Sequence, residues 1–315
     1  MKRILVIRFS ALGDVAMLVP VLRATAEQHP EWHFTILSQQ RMADLFAEMP
    51  ENVTFAGVDL KRQSLRDFVR TLGRFDAVAD MHGVWRSLYV RWYFRLRGAQ
   101  TAVIHKSRWN KWLLTHGLIR RQLTHTSERY EKVLQRLIDE GQSKDRVKTK
   151  QRQTTDKRGI CIAPFAAHRG KTYPLERMER VVELLSGQGE KIILFGSKEE
   201  SAVMEQWAKR YKNVESVAGT KSLREELEII RRSRVMLTMD SANMHLASLV
   251  GTRVVSIWGA THPFAGFLGY GQSEKDCIQR DLKCRPCSVY GKKKCRFGDY
   301  RCLDITPEEI VERLK

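Results

Sequence analysis

The sequence predicts an α/β protein made of two doubly wound parallel-sheet domains, and three observations carry that expectation. Short β-branched or aliphatic runs recur between helical patterns: RILVI, HFTILS, DAVADM and TAVIH in the first half, then RGICIA, KIILF, RVMLTM and RVVSIW in the second. Strands this short, alternating with helices, belong to parallel sheets covered on both faces. A chain of 315 residues can give each of two domains its own core. Finally, GQSKDRVKTKQRQTTDKRG, residues 141–159, has almost no apolar residue and no period, which marks an interdomain linker. The expected boundaries are 1–150 and 151–305, followed by a terminal helix over 306–315. In that helix Thr306 is the N-cap, Pro307 takes the first helical position, and Glu309 completes a capping box.

Composition narrows the function classes. The net charge of +19 points to an anionic partner: nucleic acid, a membrane surface or a phosphorylated substrate. No recognised nucleic-acid motif is evident, so no specific nucleic acid is expected as partner. No apolar stretch reaches the roughly eighteen residues that a membrane span needs, and the run before Arg8 is too short for a signal peptide. A cytoplasmic protein is expected. Its six cysteines, in a chain this long, suggest reduced thiols rather than a secreted disulfide framework.

Ligands of doubly wound sheets bind outside the carboxyl ends of the strands, so the turns there are the candidate sites. The first is RFSALGD, where strand RILVI ends and a helix begins. Its single glycine and its acid, Asp14, do not suit a nucleotide phosphate, which a carboxylate would repel. Asp14 is either a first-turn acid favoured by the helix dipole or a general base toward a hydroxyl. A second turn, MDSANMHLASLVG, follows RVMLT: Asp240 and Ser241 end the strand, and Ser241, Ala242 and Asn243 lead into a helix whose free N–H groups suit an anion. The same turn reads equally as an ordinary one capped by Asp240 or Ser241, with His245 a partly buried histidine. A third, APFAAHRGKTYP, carries His168, Arg169 and Lys171, and Lys171 there can stabilise charge on a leaving diphosphate. In a fourth, LFGSKEE, Glu200 can accept from ribose hydroxyls or simply face solvent.

Taken in series, RFSALGDVAMLVPVLRA, DMHGVWRS, GKTYP, FGSKEE, DSANMHLASLVGT and CLDITPEEIVERL resemble the lipopolysaccharide heptosyltransferases, glycosyltransferase family nine, over nearly the whole chain. The resemblance implies a GT-B fold, two Rossmann-like domains with an interdomain cleft, and inverting, metal-independent transfer of a sugar, heptose above all, from an ADP-activated donor. It makes Asp14 the general base and Lys171 the lysine at the diphosphate. Glu200 would sit at the adenosine ribose, and Asp240, Ser241, Ala242, Asn243 and His245 would hold the donor. Arg8, Ser10, His82 and Arg86 fall on the acceptor side. Partners would be a nucleotide-sugar, used as substrate with no cofactor, and an anionic glycolipid at the inner membrane leaflet, served by a monomer peripheral to that membrane. Two departures touch the donor side: Ala166 and Ala167 stand where the family carries threonines, and Ser241-Ala242-Asn243-Met244 replaces a threonine-glycine-leucine type of loop. A relative using another nucleotide-sugar is the alternative and, in a different class, a basic nucleic-acid-binding protein, which the charge of +19 also fits.

Three features remain. The helix GVWRSLYVRWYFRLRG places Trp85, Leu88, Trp92 and Leu96 along one face, and such a stripe is expected to pack into the core. Cys284, Cys287, Cys295 and Cys302 are spaced C-x2-C-x7-C-x6-C, which can hold a structural zinc, but retained thiols need no metal and none is expected. The apolar residues of the terminal helix, Ile310, Val311 and Leu314, are expected to pack on the N-terminal domain.

Overall fold

A computed structural model describes residues 1–138 and 157–315; the expected linker at 141–159 lies, up to residue 156, outside the described residues. In chain order the elements are β1 (Arg3–Ile7), α1 (Leu12–Gln28), β2 (His33–Gln39), β3 (Val53–Val58), α2 (Leu65–Thr71), β4 (Ala77–Asp80), α3 (Trp85–Arg95), β5 (Gln100–Val103), α4 (Arg108–Thr115) and α5 (Thr126–Ile138). There follow β6 (Ile160–Ala163), α6 (Leu175–Gly187), β7 (Ile192–Leu194), α7 (Ser201–Arg210), β8 (Val214–Ser216), α8 (Leu223–Arg232), β9 (Val235–Met239), α9 (Ala242–Leu249), β10 (Arg253–Trp258), β11 (Cys277–Gln279) and α10 (Pro307–Leu314). They form two units: 1–106 with 126–150, and 107–125 with 151–315.

Unit 1 is a five-stranded sheet ordered β3-β2-β1-β4-β5 with parallel neighbours. The chain moves from β1 outward to β3, then restarts at β4 on the other side, so the order reverses between β1 and β4. Ile7 is in register with both Leu37 and Asp80, and the carboxyl ends of β1 and β4 therefore coincide. Ile4 to Ile7 are fully buried, as a strand covered on both faces requires.

Unit 2 holds a six-stranded parallel sheet, β11-β10-β9-β6-β7-β8, whose order reverses between β6 and β9. Ala163 and Thr238 share a register position, so these two strands also end side by side. The strands that the sequence pattern missed, β3, β8 and β11, all lie at sheet edges. An edge strand has one neighbour and more water, and it lacks the continuous apolar run of an inner one. Val53 to Gly57 show this, none of them being fully buried.

Three expectations are corrected. Residues 107–125 group with unit 2 and not with the first 150, because Leu114 and Leu123 pack there with Ala265, Phe264 and Phe267, and the Leu123 N–H donates to the Phe264 carbonyl at 2.9 Å. Gly266 allows this approach: a Cβ on it would stand 2.5 Å from the Thr124 carbonyl oxygen. The terminal helix also packs at home. Its capping box forms, with Thr306 N–H to Glu309 Oε2 at 2.8 Å, but Ile310, Val311 and Leu314 join the core of unit 2 beside Met178 and Val181 of α6 rather than that of the first domain. Finally, the stripe on α3 is not core: Trp85, Trp92 and Leu96 are 86%, 54% and 76% exposed, and the buried face is Ser87, Val90 and Phe94.

Candidate active site

At the switch point of unit 1, Arg8 leaves the end of β1 almost fully buried. Its main chain is held from β2: Ser38 Oγ donates to the Arg8 carbonyl and Gln39 Nε2 to the Phe9 carbonyl, both at 2.6 Å. The guanidinium donates through Nη1 to the Met81 carbonyl after β4 at 2.6 Å, and its Nη2 meets Asp14 Oδ2 at 2.5 Å. Asp14 stands in the first turn of α1, whose N-cap, Ala11, has no side-chain acceptor; Oδ2 reaches back to the Ala11 N–H at 3.3 Å. Capping and pairing thus hold one carboxylate, which keeps 28% of its side-chain surface in solvent. Tyr130 of α5, fully buried, donates its hydroxyl to the Asp14 carbonyl at 3.2 Å and lies under the Arg8 guanidinium. Burial, only partly offset by Arg8, pushes its phenol far up, so it stays a neutral donor.

His82 faces the same pair. Burial first, then Arg8, Lys106 and Arg86, bring its pKa down to about 4 against the pull of Asp14, so the ring is neutral near pH 7. Its turn is built by Asp80, whose Oδ1 accepts from the N–H groups of His82 and Gly83 at 3.0 and 2.8 Å. Fully buried, Asp80 has Arg91 at 3.8 Å from Oδ2 as counter-charge. Of the expected acceptor-side residues, Arg8 pairs with Asp14, His82 lies near enough to feel both charges, Arg86 is exposed but close enough to act on His82, and Ser10 is half-buried in the turn with no side-chain hydrogen bond among the described residues. Asp80, Arg91 and Tyr130 were missed. An acid ending a buried strand was a usable signal for Asp80, whereas Tyr130 comes from 116 residues away.

The corresponding place in unit 2 joins the loop after β6 to the end of β9. Lys171 Nζ donates to the Asp240 main-chain carbonyl at 2.7 Å and forms an ion pair with Asp240 Oδ2 at 2.8 Å; the two side chains are 15% and 7% exposed. Small residues bring this about. A Cβ on Gly291, whose φ is +76°, would stand 2.6 Å from Lys171 Cγ, and one on Gly170 would stand 2.9 Å from the Gly291 carbonyl. Thr172 Oγ1 bonds the carbonyls of Ala166 and His168, each at 3.2 Å, and fixes the loop from inside. Next to Asp240, Ser241 is the N-cap of α9, yet its hydroxyl pairs with Thr238 Oγ1 at 2.9 Å and makes no capping bond. The first turn, through Ala242 and Asn243, is half-exposed, and His245 is buried one turn on. N–H groups without a cap from their own helix at a positive helix end are suited to an anion.

Glu200 repeats the pattern of Asp14. In the turn after β7 its Oε2 accepts from the Ser197 N–H at 2.8 Å, and a Cβ on Gly196 would stand 3.0 Å from that oxygen. Among the described residues, no group of three or more His, Cys, Asp and Glu side chains is arranged to hold a metal ion. Cys284, Cys287, Cys295 and Cys302 are free thiols. Burial raises the thiols of Cys287 and Cys302, the latter to about 11. Their loop is tied down by Arg285, almost fully buried, which donates to the main-chain carbonyls of Gly259, Trp258 and Thr261 at 2.5, 2.9 and 2.9 Å.

Two Rossmann-like units, each gathering polar side chains at the reversal of its strand order, are the architecture of the GT-B class. The profile of glycosyltransferase family 9 (heptosyltransferase) matches residues 65–300, well over half of the chain, and the chain belongs to that family. Among curated relatives it is 28% identical over 152 residues to the lipooligosaccharide heptosyltransferase 2 of Haemophilus influenzae, a match covering 46% of this chain and 42% of that protein's length. It is similar in structure to the family 9 glycosyl transferase of Veillonella parvula DSM 2008, with TM-score 0.75, 19% identity, and coverage of 99% of this chain and 96% of that one. E. coli ADP-heptose lps heptosyltransferase II gives TM-score 0.70 at 18% identity, over 100% and 97%. At these identities the likeness to the solved structures is one of fold.

Proposed function

We propose that this chain, acting as a monomer at the cytoplasmic face of the inner membrane, transfers a sugar from an ADP-activated donor to a lipopolysaccharide-core or related glycolipid, with inversion at the anomeric carbon. The observation that carries the reading is the Lys171–Asp240 pair beside the uncapped start of α9, at the β6/β9 switch point. A diphosphate placed there finds an ammonium, main-chain N–H groups and a positive helix end. All three bind a leaving nucleoside diphosphate more strongly as its charge grows in the transition state. In this reading Asp240 aims Lys171, while Ser241, Ala242, Asn243 and His245 shape the floor under the phosphates and the sugar. Glu200 accepts from the ribose hydroxyls through the carboxylate oxygen that its cap leaves over.

In unit 1, Asp14 takes the proton as the acceptor hydroxyl attacks the anomeric carbon from the face opposite the nucleotide. Arg8 holds that carboxylate in place, and Ser10, His82 and Arg86 contact the acceptor. Neutral His82 adds no positive charge beside Asp14 and keeps a ring nitrogen able to accept or donate. The heptose comes from the relatives, whose names carry heptosyltransferase and, in the E. coli structure, ADP-heptose. Thermal unfolding with ADP, UDP, GDP and their sugars tests the donor. ADP-heptose should raise the midpoint most, by several degrees at a hundredfold excess over its dissociation constant. A shift from a UDP- or GDP-sugar alone would replace the donor.

A further inference from the structure

We propose that the outer face of α3 is a docking surface for an anionic lipid bilayer. α3 packs inward through Ser87, Val90 and Phe94, with Phe94 edge-on to Phe75 at 5.1 Å. The opposite side carries Trp85, Tyr89, Trp92 and, just past the helix end, Leu96, at 86%, 38%, 54% and 76% exposure. Their spacing of four, three and four residues stacks them in one stripe at 3.6 residues per turn. An apolar stripe of this length left in water calls for an occupant.

The flanks say which occupant. The same periodicity sets Arg86 and Arg97 along one side of the stripe and Arg95 along the other, while Arg91 turns inward to Asp80. Arg97 lies over the Tyr93 ring at 3.6 Å and donates to the Tyr93 carbonyl at 3.1 Å. Arg86 and Arg95 form no ion pair among the described residues, and no Asp or Glu occurs between Met81 and Arg97. Trp and Tyr rings between arginines suit a headgroup boundary: rings enter beside the acyl chains and guanidinium groups meet lipid phosphates. A second copy would set arginine against arginine, and the net charge of +19 works against it again. Because α3 begins next to the His82 turn, docking would bring a membrane-held acceptor to that turn. This consequence rests on the transfer reading above; the docking itself does not.

Vesicle sedimentation of the full chain, without donor or acceptor, tests it. Vesicles with phosphatidylglycerol should bind at least about tenfold tighter than pure phosphatidylcholine, and the difference should shrink with salt. Trp92→Ser with Leu96→Ser, both exposed, should cost about tenfold or more in vesicle affinity, and Arg95→Gln should weaken only the anionic part. Transfer to a delipidated, water-soluble acceptor should be unchanged in these variants. No preference for anionic vesicles, or binding that ignores these substitutions, overturns the proposal. So does concentration-dependent dimerisation that Trp92→Ser abolishes while vesicle binding persists. A failed transfer assay with intact vesicle binding would count against the glycosyltransfer reading alone.

Discussion

Lys171 meets Asp240 twice, through the carboxylate at 2.8 Å and the main-chain carbonyl at 2.7 Å, and so locks the loop after β6 to the end of β9 where the strand order of unit 2 reverses. Removing the lysine strands a buried carboxylate, and breaking such a pair costs about 3 kcal/mol. Lys171→Met should therefore lower both stability and ADP affinity. Adding Asp240→Asn removes the stranded charge and should restore much of the stability while ADP binding stays weak. Calorimetric titration with ADP, beside denaturant unfolding, separates the two effects. Recovery of ADP affinity in the double variant would take Lys171 out of the donor site.

The terminal helix gives a purely structural test. Ile310 is fully buried in the core of unit 2, and Ile310→Ala should cost about 3 kcal/mol through lost burial and the cavity left behind. The loss should fall on unit 2, with hydrogen exchange speeding up in β6 and β9 and little change in β1 and β4. Equal acceleration in β1 would mean that the helix also supports the first unit.

These elements show what was legible beforehand. Inner strands such as β1 and β9 declare themselves because burial on both faces demands an unbroken apolar run, and the site turns follow from where those runs end. The edge strands β3, β8 and β11 could not be read that way. Nor could the home of 107–125, which depends on apolar packing against Phe264, Ala265 and Phe267 far along the chain. The spacing of the α3 stripe was legible, but its direction was not. Amphipathic periodicity tells that a helix has two faces; Ser87, Val90 and Phe94 turn inward, although the bulkier tryptophans lie on the other face. Asp14 was visible as a first-turn acid, whereas the cap that Glu200 makes on the Ser197 N–H was not read, and the Arg8 pairing needed β1 and β4 to end at one level.

His82 provides a pH test. Its pKa falls from 6.5 to about 4 on folding, so as pH drops the unfolded chain takes up the proton first. The stability it contributes is fully present above pH 6.5 and is lost as pH falls toward 4. His82→Gln should flatten the wild-type stability curve within that window and leave it parallel above. The comparison cancels the carboxylates, which titrate in both proteins. Curves that stay parallel from pH 7 to 4 would show that the ring is not held neutral by its burial beside Arg8, Lys106 and Arg86.

Asp14 is where the capping and catalytic readings part. Asp14→Asn keeps an oxygen for the Ala11 N–H and for Arg8, whose second anchor on the Met81 carbonyl is untouched, and asparagine is itself a good residue at a helix start. The fold should survive with a modest loss of stability. Proton transfer should not: an amide cannot take the acceptor's proton, and turnover should fall by roughly a hundredfold to ten-thousandfold. Donor binding, assigned to the Lys171 side, should hardly change. Initial rates at saturating acceptor, with ADP affinity measured on the same folded variant, decide the matter. A collapsed rate with intact ADP affinity supports the base, and near-normal turnover would reduce Asp14 to a helix-start acid held by Arg8.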